Sequence, residues 1–388
     1  RFPSSLDVRP CRRPLIDFVI RKRVDAIPNV EIISNCRVER LLHDAAKKRI
    51  SGVSTVISFE QGMTSVEQGV GAKKNKSQKE FFADLVVECS GRSSQIPKWL
   101  KSLDYPEIPS TVVDPNLGYA SRLYEIPAEY RDRVRCIEVA PHAPDNPRAA
   151  GLWEVGKHQW LLTLIGISGH FPPKTEQGFL EFAKALPTPL VAEAIESAVA
   201  VSPIRSHRGT KNIWRHFRKM KRYPSGLLVM GDAVCAFNPL HGQGLTLIAM
   251  ATESLRLQLK AGRENQYSAS WVFKQYKRFD RIFFTAWMIA ISEDMRWPET
   301  QGRKVNWQLK LAYRYMDSLV DACQRSSVVT KACLSVANMV ASPLSLLRPK
   351  ILMLLLLHRL RSRIPMLFSK NKLPLGEGDK DSLDRGKS

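Results

Sequence analysis

The residues whose types and spacing best suit chemistry lie between 226 and 255, in the string GLLVMGDAVCAFNPLHGQGLTLIAMATESL. Its apolar start reads as a buried strand that ends on Gly231 and Asp232. That places a carboxylate at the C-terminal edge of a sheet, where α/β folds bind their ligands. Asn238-Pro239 makes a rigid turn, and Gly242-Gln243-Gly244 lets the backbone approach a flat ligand with no Cβ in the way. A helix then opens near Leu245, with Leu245, Ile248, Thr252, Leu255 and Leu259 along one face. Its first N–H groups point back at the glycine loop and favour negative charge there. A carboxylate suits the hydroxyls of a polyol chain, and a donor-rich helix start suits an electron-rich ring. Strand, glycine turn and helix also recur in α/β proteins that bind nothing at that place.

Two further segments carry polar groups at element ends. ADLVVECSGRSSQIPKWL, residues 83–100, reads as a short buried parallel strand delivering Gly91, Arg92 and Ser93 on a loop. Arg13 opens the segment RPLID at the start of a helix. His241 sits in the glycine loop, where it is either an acid–base group or a packed ring. Tyr119 and Arg122 lie on one strand of a β-rich stretch, and only the register decides which faces a ligand.

Together these strings resemble the para-hydroxybenzoate-hydroxylase-like FAD-dependent monooxygenases and epoxidases. The second flavin motif of that family has GD, a later Pro and a GxG before a helix. Residues 83–100 look like its middle motif, with Glu88 where Asp is more usual and with Cys89-Ser90 before Gly91. LGYASRLYEIP and EDMRWPETQGR, residues 293–303, extend the resemblance over most of residues 10–305. The resemblance implies FAD, with Asp232 on the ribityl chain and with Pro239, Gly242, Gln243, Gly244 and Leu245 around the ring. It assigns Arg13, Gly91, Arg92 and Ser93 to the phosphates or to the nicotinamide donor. NAD(P)H would reduce the flavin, and O2 and a small hydrophobic organic substrate would be the other reactants. Halogenases and prenyl reductases of related fold, and a non-catalytic membrane-associated relative, remain alternatives.

One departure is large. No GxGxxG occurs anywhere in the 388 residues, although the family holds the ADP half of FAD on such a turn. The chain also begins with Arg1 rather than Met. The reading is therefore a fragment of a longer enzyme, in preference to a degenerate paralogue.

The elements that must position these residues follow from periodicity. Residues 13–24 form an amphipathic helix, 30–44 a strand, turn and strand, and 50–60 a further strand, with a loose solvated hairpin tip over 61–80 and a short buried parallel strand over 81–91. Residues 117–167 read as an antiparallel sheet, 175–199 as two helices, and 268–321 as mainly helix with core aromatics. The expected fold class is α/β. A Rossmann-like FAD-binding domain that lacks its N-terminal part takes residues 1–115 and 213–265. A β-rich substrate domain over 116–212 is inserted, helices cover 266–368, and the tail over 369–388 is disordered.

Composition bounds the rest. With 59 Lys plus Arg against 37 Asp plus Glu, the formal charge is +22, while 44% hydrophobic residues place the chain among globular proteins. Its basic clusters, including Arg215, Arg218, Lys219, Lys221 and Arg222 beside Trp214 and Phe217, accompany no zinc finger or RNA-binding signature, so no nucleic-acid partner is expected. Seven cysteines without CxxC or zinc spacing indicate reduced thiols on the cytoplasmic side and no metal site. The aliphatic run 351–357, bounded by Lys350 and Arg359, is too short to span a bilayer. It reads either as an interfacial helix on a membrane surface or as one packed on the globular body.

Overall fold

The computed structural model describes residues 12–59, 75–128, 136–156, 158–262, 267–302 and 306–363. The expected hairpin tip falls largely, and the expected disordered tail wholly, outside these residues. The chain divides into two compact units, residues 6–310 and residues 311–388 with 1–5.

The larger unit opens with α1 (Arg13–Asp25), where a proline stands in the first turn and Lys22 and Arg23 in the last. Proline tolerates the first turn because its missing N–H has no partner there anyway. None of the residues of α1 is buried, and Phe18 is 64% exposed. A three-stranded antiparallel sheet follows, β1 (Cys36–Asp44), β2 (Arg49–Phe59) and β3 (Asn75–Phe82). Two expectations fail here. Residues 30–33 are not a strand: their apolar side chains stay exposed and no described segment pairs with them. Residues 75–80, expected in a solvated tip, are β-structure because β2 is long enough to pair with them as far as Phe59.

β4 (Val86–Glu88) runs parallel to β13 (Leu227–Val229), which is buried along its length. The expected strand over 81–91 is thus split, its first residues finishing β3, and β4 is partly exposed, with Val87 at 42%; α2 (Ile96–Ser102) follows. β5 (Ser110–Val113), β12 (Asn212–Arg215) and β14 (Cys235–Ala236) make a second small sheet.

The antiparallel sheet expected over 117–167 is present. Its order is β10 (Val199–Ala200), β6 (Gly118–Glu125), β9 (Gln159–Gly166), β8 (Arg148–Gly156) and β7 (Cys136–Val139), with β11 (Arg205–His207) also on β6. β9 alternates strictly. Trp160, Leu162 and Leu164 are buried in a core with Phe179 and Phe182 of α3 (Glu176–Lys184) and Val191 of α4 (Leu190–Glu196). A period of two then turns Leu161, Thr163 and Ile165 to the opposite face. The register pairs Tyr119 with Ile165 and Ser121 with Thr163, so Tyr119 shares that open face. Arg122 is on the helical side, donating to Glu176 Oε1 at 2.7 Å and to the carbonyl of Ser202 at 2.9 Å.

α5 (Gly244–Lys260) buries Leu247, Ala251 and Leu255. Among the residues expected on one face, only Leu255 is on the buried side; Leu245 is 48% exposed and Ile248 37%. α6 (Ala269–Asp294) carries Trp271, Tyr276, Phe279, Phe283 and Trp287 into the core, as the aromatic pattern suggested, while Phe284 stays 56% exposed. After α6 the segment 295–302 returns along β5. Asp114 and Gln301 exchange both backbone hydrogen bonds at 2.9 Å, and Gly302 has φ +124°, with Val112 O only 2.3 Å from where a Cβ would stand. Only glycine fits that approach.

The smaller unit holds α8 (Ser327–Ala337), α9 (Pro349–Arg363) and most of α7 (Trp307–Cys323). Ile351 and Leu355 are buried, whereas Leu352, Met353, Leu356 and Leu357 are exposed. Among the described residues no helix is long and apolar enough to cross a membrane.

Candidate functional site

β13 delivers its chain end beside β4, where Met230 N–H donates to the Glu88 carbonyl at 2.9 Å. Gly231 then turns with φ +62°, and Asp232 follows at the end of the parallel pair. Burial pushes the Asp232 carboxyl above its ordinary value, while the nearby positive charges of Arg92 and Arg13 pull the other way. Asn238 accepts from Leu240 N–H at 3.1 Å through Oδ1, which shapes the turn Pro239–His241. Gly242 is left-handed at φ +64°, and α5 starts at Gly244 with helical N–H groups that have no acceptor within the helix.

These elements enclose a cavity of about 420 Å³. Eight of the residues nominated from the sequence line it: Arg13, Arg92, Asp232, Pro239, Gly242, Gln243, Gly244 and Leu245. Gly91 and Ser93 do not. Gly91, at φ +81°, starts the short helical turn that carries Arg92, and a Cβ on it would lie 4.0 Å from Asp232 Cβ. Arg92 has work of its own. Its guanidinium donates to the carbonyl of Phe237 at 2.6 Å and to that of Lys211, fastening the middle-motif loop to the strands below. Arg215 completes the knot by donating to the carbonyls of Ala233 at 2.8 Å and Arg92 at 2.9 Å. Glu88, standing where Asp is usual in the resembling family, folds its carboxylate back to accept from Ser90 N–H at 3.0 Å and from the Ser90 hydroxyl.

Six lining residues, Tyr119, His207, Thr210, Phe237, Asn238 and Ile248, were not nominated as site residues from the sequence. His207 leans on Tyr119 with ring centroids 5.5 Å apart, and Ile248 stands one turn beyond Leu245 on α5. The half-exposed Leu245–Ile248 edge of α5 is thus a cavity wall, while the opposite edge packs in the core.

A second cavity of about 570 Å³ lies over the open face of the large sheet. Its walls are mostly apolar, with Val139, Ala149, Trp153, Leu161 and Ile165, and the Ser121 and Thr163 hydroxyls bond each other at 2.8 Å. Tyr119 and Pro239 line both cavities.

Beneath the loop sits Asp294, the last residue of α6, 1% exposed. Its Oδ2 accepts from Asn212 Nδ2 and Asn238 Nδ2, both at 2.5 Å, and Asn212 Oδ1 accepts from Asn238 N–H at 2.8 Å. His241 Nε2 is 3.7 Å from Asp294 Oδ1. The ring is partly enclosed against the buried carboxylate and is absent from the lining of either cavity, which favours the packed reading over the acid–base one.

The lining of the cavity at Asp232 pairs a carboxylate with a glycine loop and a helix start, the kind of donor and acceptor set that a polyol chain joined to a flat electron-rich ring would need. The cavity's volume is in the range of small-molecule sites. An added Cβ on Gly242 would meet nothing within 4 Å, so the loop leaves open space there, and one on Gly244 would reach contact distance of Asp232 Oδ1 at 4.0 Å.

No protein-family profile matches the chain. Over 321 residues it is 26% identical to Protein Rv3254 of Mycobacterium tuberculosis, an alignment covering 82% of this chain and 64% of that protein. Among solved structures it is similar to p-nitrophenol 4-monooxygenase PnpA from Pseudomonas putida, with TM-score 0.53, 16% identity and coverage of 84% and 70% of the two chains. It is also similar to a flavoprotein/dehydrogenase from Cytophaga hutchinsonii, with TM-score 0.52, 14% identity and coverage of 90% and 72%. Flavin-dependent brominase Bmp2 gives TM-score 0.50, 13% identity and coverage of 84% and 70%. The chain shares the fold of these proteins. At these identities the likeness concerns architecture alone.

Proposed function

We propose that this chain belongs to an FAD-dependent monooxygenase, a hydroxylase or epoxidase that uses NAD(P)H and O2 on a small hydrophobic organic substrate. The observation that carries the reading is the shared wall. A polar cavity built from a carboxylate, a glycine loop and a helix start meets an apolar cavity at Tyr119 and Pro239. Bound there, reduced FAD would supply the activation of O2.

The protein's part is to hold and to exclude. Asp232 would accept from ribityl hydroxyls, and the Pro239–Gly242 backbone would back the ring. The positive end of α5 would favour negative charge on the ring, as helix starts do for anions. Arg13 would act toward the phosphates, and Arg92 would hold the loop through its carbonyl bonds. On the substrate side, Trp153, Leu161 and Ile165 would exclude water from an apolar molecule laid against Tyr119.

The test is NAD(P)H oxidation with labelled O2 against a panel of aromatic and isoprenoid compounds. Substrate-stimulated oxidation with label in the product supports the reading, and oxidation that yields only hydrogen peroxide overturns it. Trp153→Ala should weaken substrate binding about tenfold, in line with an aromatic wall worth ~1.4 kcal/mol, and leave flavin occupancy intact. An unchanged KM would remove Trp153 from the substrate site.

The exposed apolar residues of α9 and its basic neighbours support a peripheral contact with a membrane surface. Deleting residues 343–388 is then expected to release a membrane-bound pool into the supernatant on sedimentation. An unchanged distribution would remove α9 as the anchor.

A further inference from the structure

A third cleft, of about 560 Å³, lies on another part of the larger unit, lined by Trp214, His216, Arg218, Lys219, Lys277, Asp280, Arg281 and Phe284. One wall is the short helical turn Phe217–Lys219, which follows directly on β12, and the other is α6. On α6, Lys277, Arg281 and Phe284 stand four and three residues apart, which puts them on one stripe of the helix. None of them packs in the core, and Phe284 turns a large aromatic ring to solvent.

The charges there do not balance. Arg218 is paired with Asp280 at 2.7 Å, but Lys219, Lys277 and Arg281 have no ion-pair partner among the described residues. Three cations gathered in one cleft repel each other unless an anion joins them. The same positive field shows in His216, whose pKa is pushed down to about 4 by burial first and then by Lys219 and Arg218. Its ring bonds the Thr111 hydroxyl at 2.8 Å instead of carrying a proton outward.

A second observation is independent of charge. Trp214 is 6% exposed and its indole N–H has no acceptor among the described residues. Buried indole donors usually find a partner. Here the donor belongs to a residue that lines the cleft, between His216 at 5.1 Å and Trp287 at 5.4 Å, ring to ring.

We propose that this cleft is a binding site for a phosphate-bearing aromatic molecule of the nucleotide class, separate from the cavity at Asp232. The phosphates are neutralised by Lys219, Lys277 and Arg281, and the flat ring lies against Phe284 beside the Trp214 indole that forms part of the lining. The site stands without the flavin reading, since none of its residues lines the cavities at Asp232 or over the large sheet.

The test is calorimetric titration of the protein with ADP, adenosine and inorganic phosphate, each also against the double variant Lys277→Glu with Arg281→Glu. Both positions are exposed, so reversal of their charge should leave the fold unchanged. ADP is expected to bind saturably, more tightly than either adenosine or phosphate, and about tenfold or more weaker in the double variant. Asp232→Ala should retain this binding. Phe284→Ala, which removes the exposed ring and leaves the core intact, should weaken ADP by a few-fold. Failure of ADP to bind, or equal affinity in wild type and the double variant, overturns the proposal. Phosphate binding as tight as ADP overturns the aromatic half of it.

Discussion

Replacing Asp294 with alanine should cost the protein about 3 kcal/mol of folding stability and loosen the cavity 56 residues upstream in sequence, at Asn238. The carboxylate is 1% exposed and receives two amide donors at 2.5 Å, one from the β12 residue Asn212 and one from the loop residue Asn238. Its own backbone carbonyl also accepts from the Thr300 hydroxyl at 2.5 Å. Truncation leaves both side-chain amides buried with no acceptor, and an unsatisfied buried donor costs more than a made hydrogen bond contributes. Asn238 in turn sets the Pro239–His241 turn through Leu240 N–H, so the damage should spread to the ring side of the cavity. Asp294→Asn keeps the shape, retains one acceptor and should lose about half as much. Denaturant midpoints of the three proteins measure this. A cost under about 1 kcal/mol for the alanine variant would show that the loop does not depend on the network.

Asp232→Ala should act oppositely, on the ligand and not on the fold. A carboxylate that accepts from sugar-type hydroxyls contributes about 1.5–3 kcal/mol per hydrogen bond, so flavin affinity should fall between about tenfold and a hundredfold. Burial already holds this carboxyl above its ordinary value, which means that its charged form is disfavoured in the folded protein. The sign follows. A carboxyl whose folded value is raised contributes most to stability at low pH and loses that contribution as pH rises through the raised value. Flavin binding needs the charged acceptor and runs the other way, weakening as pH falls through the same window. The alanine variant should therefore fold at least as well at neutral pH, purify with little flavin, and lack this pH dependence. Normal flavin content in Asp232→Ala would contradict the role of the carboxylate.

Much of the cavity was legible in the sequence because it is made by local chemistry. Gly231-Asp232 follows an apolar strand, Asn238-Pro239 turns, and the glycines precede a helix, so eight of the ten nominated residues are neighbours in space. Gly91 and Ser93 fell outside because their motif is a fastening, held through Arg92 to the carbonyls below, and not a wall. The open side of the large sheet was not legible, since Tyr119 and Arg122 differ only by the register that pairs Tyr119 with Ile165. Nor was the buried edge of α5. Leu245 and Ile248 have the same apolar character as Leu247 and Leu255, and only the neighbouring elements decide which edge meets the core. Asp294 gave no sequence signal because its partners, at 212 and 238, come from a distant strand and loop. The strand expected over 30–33 shows the converse: β-type residues make no strand without a neighbour to pair with.

The most direct test of the flavin cavity is a titration of the purified protein with FAD, read by quenching of flavin fluorescence, beside Asp232→Ala and Asp294→Asn. Saturable binding that drops about tenfold or more in the first variant and less in the second is the predicted result. A protein that emerges colourless and takes up no FAD, or that binds it equally in all three forms, would contradict the assignment.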